Sequence, residues 1–92
     1  MIRTFRHAGL ERYFETGTAT GIPADMAKRI QLRLNVLNRA RELRDINLPG
    51  LGFHPLKGKR QGEYAITVTA NYRLKFRLEN QDVLDLNLED YH

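Results

Sequence analysis

Ninety-two residues are enough for one domain with a single modest core and too few for two. No apolar run approaches the roughly 20 residues that span a bilayer, and the absence of cysteine excludes both a disulfide framework and a thiolate metal site. Fifteen Lys and Arg oppose eleven Asp and Glu, a net charge of +4 that leans toward a polyanionic partner, most commonly nucleic acid. The basic opening Met1-Ile2-Arg3-Thr4-Phe5-Arg6-His7 has no apolar segment behind it, so it does not read as a secretory signal. Together these features predict a cytoplasmic protein without a membrane partner.

Ile2 to Phe5 alternates and predicts a short strand. Leu10, Tyr13 and Phe14 fall at i, i+3 and i+4, the stripe of a short helix that Gly17 ends, and His7 sits where it could bond the helix start. A second helix is predicted from Pro23 to Leu43. Pro23 suits a first helical position, Asp25 suits the positive end of the dipole, and Met26, Ile30, Leu34 and Leu37 form the apolar stripe. Its other face carries Lys28, Arg29, Arg33, Arg39 and Arg41, which reads as solvated surface, an RNA contact or a docking surface for a protein. Asn47-Leu48-Pro49-Gly50 breaks the helix.

Strands follow. Phe53 to Lys57 is short, and Pro55 marks it as an edge. Three segments then alternate with period two: Tyr64, Ile66, Val68; Tyr72, Leu74, Phe76, Leu78; and Leu84, Leu86, Leu88. Parity constrains how they pair. To bury both apolar sets on one face, the last hairpin needs an odd loop, Asn80-Gln81-Asp82, with Leu78 opposite Leu84, Phe76 opposite Leu86, Arg77 opposite Asp85 and Arg73 opposite Glu89. The hairpin before it closes through Thr69-Ala70-Asn71, with Val68 opposite Tyr72 and Thr67 opposite Arg73. The expected fold is α+β, a single domain over residues 1–92. An N-terminal strand and two helices pack on one face of a small antiparallel-rich sheet, and the other face is cationic and open. This register brings Asp90-Tyr91-His92 near Arg73.

Several segments together resemble the HigB-type toxins of the RelE/ParE superfamily. They are Phe5-Arg6-His7-Ala8-Gly9-Leu10, Leu48-Pro49-Gly50, His54-Pro55-Leu56-Lys57-Gly58, Asn71-Tyr72-Arg73-Leu74-Lys75-Phe76 and Glu89-Asp90-Tyr91-His92. Tyr64-Ala65 stands where that family often has Trp-Ser, and Tyr72 where it often has Trp. The resemblance implies a RelE-like fold and an mRNA endonuclease that acts on the translating ribosome. It also implies neutralisation by a HigA-type helix-turn-helix antitoxin, through which operator DNA is engaged indirectly. Carried over motif by motif, the family's catalytic set becomes His54, Lys57, Arg73, Asp90, Tyr91 and His92.

The residues suit that chemistry without a cofactor. RNA brings its own nucleophile, the 2′-OH, and asks the protein for a base, an acid and charge stabilisation at phosphorus. Arg73 can grip phosphate bidentately, Lys57 adds a second cation, and His92, with a reference pKa of about 6.5, suits proton transfer with Asp90 orienting it. Tyr91 can stack on a base or donate to phosphate. The acidic residues alternate with Leu or scatter on helices, and His7, His54 and His92 lack ligand spacing, so a metal site is not expected. Two rivals remain open: a ParE-like gyrase poison, and a non-catalytic basic module that binds nucleic acid or protein.

Overall fold

His7 starts the first helix by supplying what a helix start lacks. Its backbone is extended (φ −104°, ψ 111°), and its Nδ1 accepts the Leu10 N–H at 3.1 Å, giving one orphan donor a partner. The helix, α1 (Ala8–Thr16), ends where Gly17 turns left-handed at φ 78° and donates its N–H to the Tyr13 carbonyl at 2.9 Å. The computed structural model describes residues 1–60 and 62–91.

The second helix is shorter than its sequence pattern. A 3-10 turn over Ala24–Met26 leads into α2 (Ala27–Arg39), and Ala40 is already extended. Asp45 explains the early stop: its Oδ2 accepts the N–H groups of Arg41 and Glu42 at 3.0 and 3.1 Å and captures the chain in a capped 3-10 turn over Leu43–Asp45. These bonds, together with the charges of Arg44 and Arg41, hold the Asp45 carboxyl below its ordinary range. The expected stripe is otherwise in place, with Met26, Ile30, Leu34 and Leu37 all buried.

The remaining elements are β1 (His54–Pro55), β2 (Glu63–Thr67), β3 (Tyr72–Glu79) and β4 (Asp82–Asp90), an antiparallel meander in the order β1-β2-β3-β4. Ile66, Leu74, Phe76, Val83 and Leu86 form the sheet's share of a core that Leu10, Ile30 and Leu37 complete from the helices. The Phe53–Lys57 strand contracts to β1, since Pro55 has no N–H to extend a ladder. The N-terminal strand also contracts. Ile2 and Phe5 make isolated parallel bridges to Val83 and Leu86, so this segment lies along β4 without forming a continuous strand.

The β2–β3 register agrees with expectation, including Thr67 opposite Arg73. The β3–β4 hairpin differs at its closed end. Its turn is the two-residue Asn80-Gln81, both at positive φ (51° and 70°), giving pairs Glu79–Asp82, Leu78–Val83 and Arg77–Leu84. A two-residue turn alone would invert one strand's faces. A bulge between Lys75 and Arg77, with Asp85 at φ 56°, inserts the compensating residue, and beyond it the expected pairs Lys75–Asn87, Leu74–Leu88 and Arg73–Glu89 follow. Val83 and Leu86, three apart, are therefore both fully buried, whereas Leu84 is only partly covered. The bulge is pinned from two sides: Thr4 Oγ1 accepts the Asp85 N–H at 2.8 Å, and Asp85 Oδ2 accepts Arg77 Nε at 3.0 Å.

Glutamine is a poor residue for the left-handed second position of such a turn. Gln81→Gly should raise stability by about 0.5–1 kcal/mol, read as a higher urea midpoint at an unchanged slope.

Candidate active site on the polar face of the sheet

Residues paired across an antiparallel sheet share a face, so register defines the site. One row runs His54–Ala65–Lys75–Asn87, and the next runs Thr67–Arg73–Glu89. His54 and Lys75 are separated by two strand spacings, about 10 Å between backbones. These rows occupy the side of the sheet away from Leu74 and Phe76, which meet the helices.

Arg73 is the centre of this face. Its Nε and Nη2 both donate to Glu89 Oε1, at 2.8 and 2.5 Å, and the Tyr91 ring lies 4.6 Å from its Cζ. One edge of the guanidinium and one of its planes are therefore held, which fixes the direction of its remaining donors. Lys75 Nζ lies between two carboxylates, 3.3 Å from Glu89 and 3.4 Å from Glu63. Burial would push the Glu89 carboxyl up, but hydrogen bonds and charge from Arg73 and Lys75 outweigh it and leave the carboxyl below its ordinary range.

The face is thus not the open cationic surface expected. Arg73 is 9% exposed, the Lys75 side chain 12%, and their charges are balanced by Glu89 and Glu63. The physical reason is desolvation: cations this covered persist only when paired. Arg77, on the same strand, is more exposed and pairs with Asp85 and Glu79.

The other candidates are distributed around this centre. His54 is exposed, and its Nδ1 lies 2.9 Å from the Gly52 carbonyl. A carbonyl only accepts, so Nδ1 carries the proton, and in the neutral ring the Nε2 lone pair is left available. Gly52 makes this possible. It sits at φ 59° against Thr67, where a Cβ would come within 2.6 Å of the Thr67 Oγ1, and the Thr67 N–H donates to Leu51 at 2.7 Å. Tyr91 is tied down by its N–H to the Asn71 carbonyl at 3.1 Å. Asp90 pairs with Tyr72, so alternation assigns it to the face opposite Glu89. Lys57 is exposed beyond β1 and makes no hydrogen bond or ion pair among the described residues. His92 lies outside the described residues.

The structure therefore brings Tyr91 onto Arg73 and sets His54 on the same face, while Lys57 lies exposed beyond β1 and Asp90 pairs with Tyr72. Sequence reasoning missed Lys75 and Glu63, and treated Glu89 only as a structural partner. The signal for Lys75 was present: it stands two residues after Arg73 on the same strand face. From behind, Arg33 on α2 supports this region by donating Nε to the Thr67 carbonyl at 2.7 Å. Burial, and then the like charge of Arg29, lower the Arg33 guanidinium from its ordinary value. Among the described residues no three His, Asp or Glu converge as metal ligands.

Comparison with known proteins places the chain in a family. Residues 3–92 match the HigB-like toxin family, described as the RelE-like toxin of the type II toxin–antitoxin system HigB. The chain is 45% identical over 92 residues, the whole of both chains, to the Endoribonuclease HigB of Proteus vulgaris. Among solved structures it resembles the YoeB/ParE toxin from Agrobacterium tumefaciens with a TM-score of 0.58 and 21% identity. That match covers 97% of this chain and 99% of the other, and it shows a shared fold.

Two outcomes are expected. A carboxyl lowered on folding stabilises above its unfolded pKa and loses that contribution as pH falls through the folded value. Glu89→Gln should therefore cost about 1–2 kcal/mol at pH 7, with the gap to wild type closing as urea titrations move below about pH 4. Gly52→Ala should cost about 1–3 kcal/mol, because it combines a left-handed backbone with a clash at Thr67. Thermal or urea unfolding measures it.

Proposed function

Because the chain belongs to the HigB-like family of RelE-like toxins from type II toxin–antitoxin systems, we propose that it is a metal-independent endoribonuclease that cuts mRNA on the ribosome. The observation that carries this reading is the immobilised Arg73, with its edge on Glu89 and its plane under Tyr91, sharing a face with His54. The full-length relative named an endoribonuclease supports the activity.

RNA needs little more than positioned charge and protons. The 2′ oxygen attacks phosphorus and gives up its proton to a base, and the P–O5′ bond breaks as an acid protonates the leaving oxygen. Arg73 uses its remaining N–H donors to stabilise charge building on the phosphate oxygens. His54, with Nε2 available, and His92 divide the proton transfers, and Asp90 orients His92. Lys57, exposed and unpaired among the described residues, meets the same or a flanking phosphate. Tyr91 holds the Arg73 plane and offers its ring to a base.

A balanced, largely covered ion network is a poor trap for free RNA, which binds through many exposed cations. The ribosome supplies the missing positioning by presenting one strand of mRNA. The toxin acts in the cytoplasm, where translation occurs, and a HigA-type helix-turn-helix antitoxin neutralises it and carries the complex to operator DNA.

A reconstituted translation system with a defined mRNA tests this. Wild-type protein should cleave the message, and an Arg73→Ala, His92→Gln variant should be slower by at least about 10²-fold. Intact message and continuing translation at saturating toxin would overturn the ribonuclease reading and direct attention to gyrase.

A further inference from the structure

α2 has a second apolar stripe that the core does not use. Leu32 is 57% exposed, Val36 is partly exposed beside it, and Leu48 on the following loop is 42% exposed. They line a groove of about 550 Å³ together with Asn35, Arg39 and Arg41. A second, more polar groove of about 600 Å³ adjoins it, and Arg39, Ala40 and Arg41 form the ridge between the two. Both guanidinium groups are exposed; Arg39 makes no ion pair among the described residues, and Arg41 makes none there beyond the influence of its charge on Asp45. Asp45, also at the groove, is occupied by the Arg41 and Glu42 backbone N–H groups.

We propose that this double groove docks an acidic amphipathic segment of a protein partner, namely the antitoxin that membership of a toxin–antitoxin family implies. Its apolar side chains pack on Leu32, Val36 and Leu48, and its carboxylates meet Arg39 and Arg41. Charge complementarity and shape select this occupant. Two exposed guanidinium groups flanking aliphatic surface match a segment with apolar residues on one side and acids beside them. Nucleic acid fits poorly, since its interfaces are polar and strongly positive and give no return for covering Leu32 and Leu48. The Leu32–Arg39 stretch spans about 10 Å of helix, enough for two turns of a partner helix to lie along it. The groove is on the helical side of the sheet, away from the row Thr67–Arg73–Glu89. Docking and RNA cleavage therefore rest on different residues.

The test is calorimetric titration of the full chain with a purified HigA-type antitoxin, in parallel with cleavage in the translation assay. Leu32→Asp should weaken binding about 30-fold or more, and Arg39→Glu with Arg41→Glu about tenfold or more, with steep loss in salt. His54→Ala should bind as wild type, and both groove variants should unfold at the wild-type temperature and cleave at the wild-type rate. Folded groove variants that bind within twofold of wild type would overturn the docking site and leave the ribonuclease reading standing. Unchanged antitoxin binding with lost affinity for a ribosomal RNA fragment would also overturn it, by assigning the groove to RNA. If neither variant nor wild type cleaves while the groove variants lose the antitoxin, the docking site stands and the ribonuclease reading fails.

Discussion

Three residues at positive φ govern the β3–β4 hairpin. Asn80 and Gln81 adopt positive φ to turn the chain in two residues, and Asp85 adopts it to add one residue back. A strand with period two cannot keep its core face through a register slip of one, so the turn and the bulge have to occur together. Without the bulge, the segment after Asp85 would present Glu89 to the helices and Leu88 to water. With it, Leu86 enters the core and Glu89 meets Arg73. Thr4 and Arg77 hold the bulge in place, so the first residues of the chain contribute to the alignment of a site at the far end of β4.

That alignment makes the polar face affordable. Arg73 and Lys75 are covered to a degree that would be costly for lone cations, and the carboxylates of Glu89 and Glu63 offset it, through a short contact at Arg73 and longer ion pairs at Lys75. Among the described residues no buried side-chain donor or acceptor lacks a partner. The network has a consequence for chemistry. A guanidinium gripped at one edge and stacked on one plane loses little entropy on meeting phosphate, and preorganised charge of this kind is what a developing phosphorane requires. Glu89 lowers the net charge of the face while fixing the direction of the remaining Arg73 donors.

The molecule thus separates two chemistries by the two sides of one sheet. The meander's apolar side carries the helices, and α2 leaves cations and aliphatic side chains together on its outer surface, where Arg39 and Arg41 border Leu32 and Val36. The polar side carries paired charges and His54. Arg33 belongs to neither surface: drawn from the basic face of α2, it bonds the Thr67 carbonyl and joins the helix to the strand that backs Arg73. Basic residues that look alike in the sequence therefore divide into a structural tie, Arg33, and an exposed pair at and just beyond the end of α2, Arg39 and Arg41.

Local alternation and spacing were enough to locate the α1 stripe ending at Gly17, the Met26–Leu37 core face, the Thr67–Arg73 and Arg73–Glu89 pairs and the α+β class, because period and sign of burial are written in adjacent residues. Motif resemblance proposed His54, Lys57, Arg73, Asp90, Tyr91 and His92, of which the structure stacks Tyr91 on Arg73 and sets His54 on the same face. What the chain could not declare locally is how its parity would be restored. A three-residue loop and a two-residue turn with a bulge satisfy the same pattern, and only the Thr4–Asp85–Arg77 contacts between distant segments select the second. Nor could it declare that Arg73 and Lys75 would be covered and neutralised. Burial and pairing of charge depend on which strands become neighbours, and that is decided by packing the whole sheet against its helices.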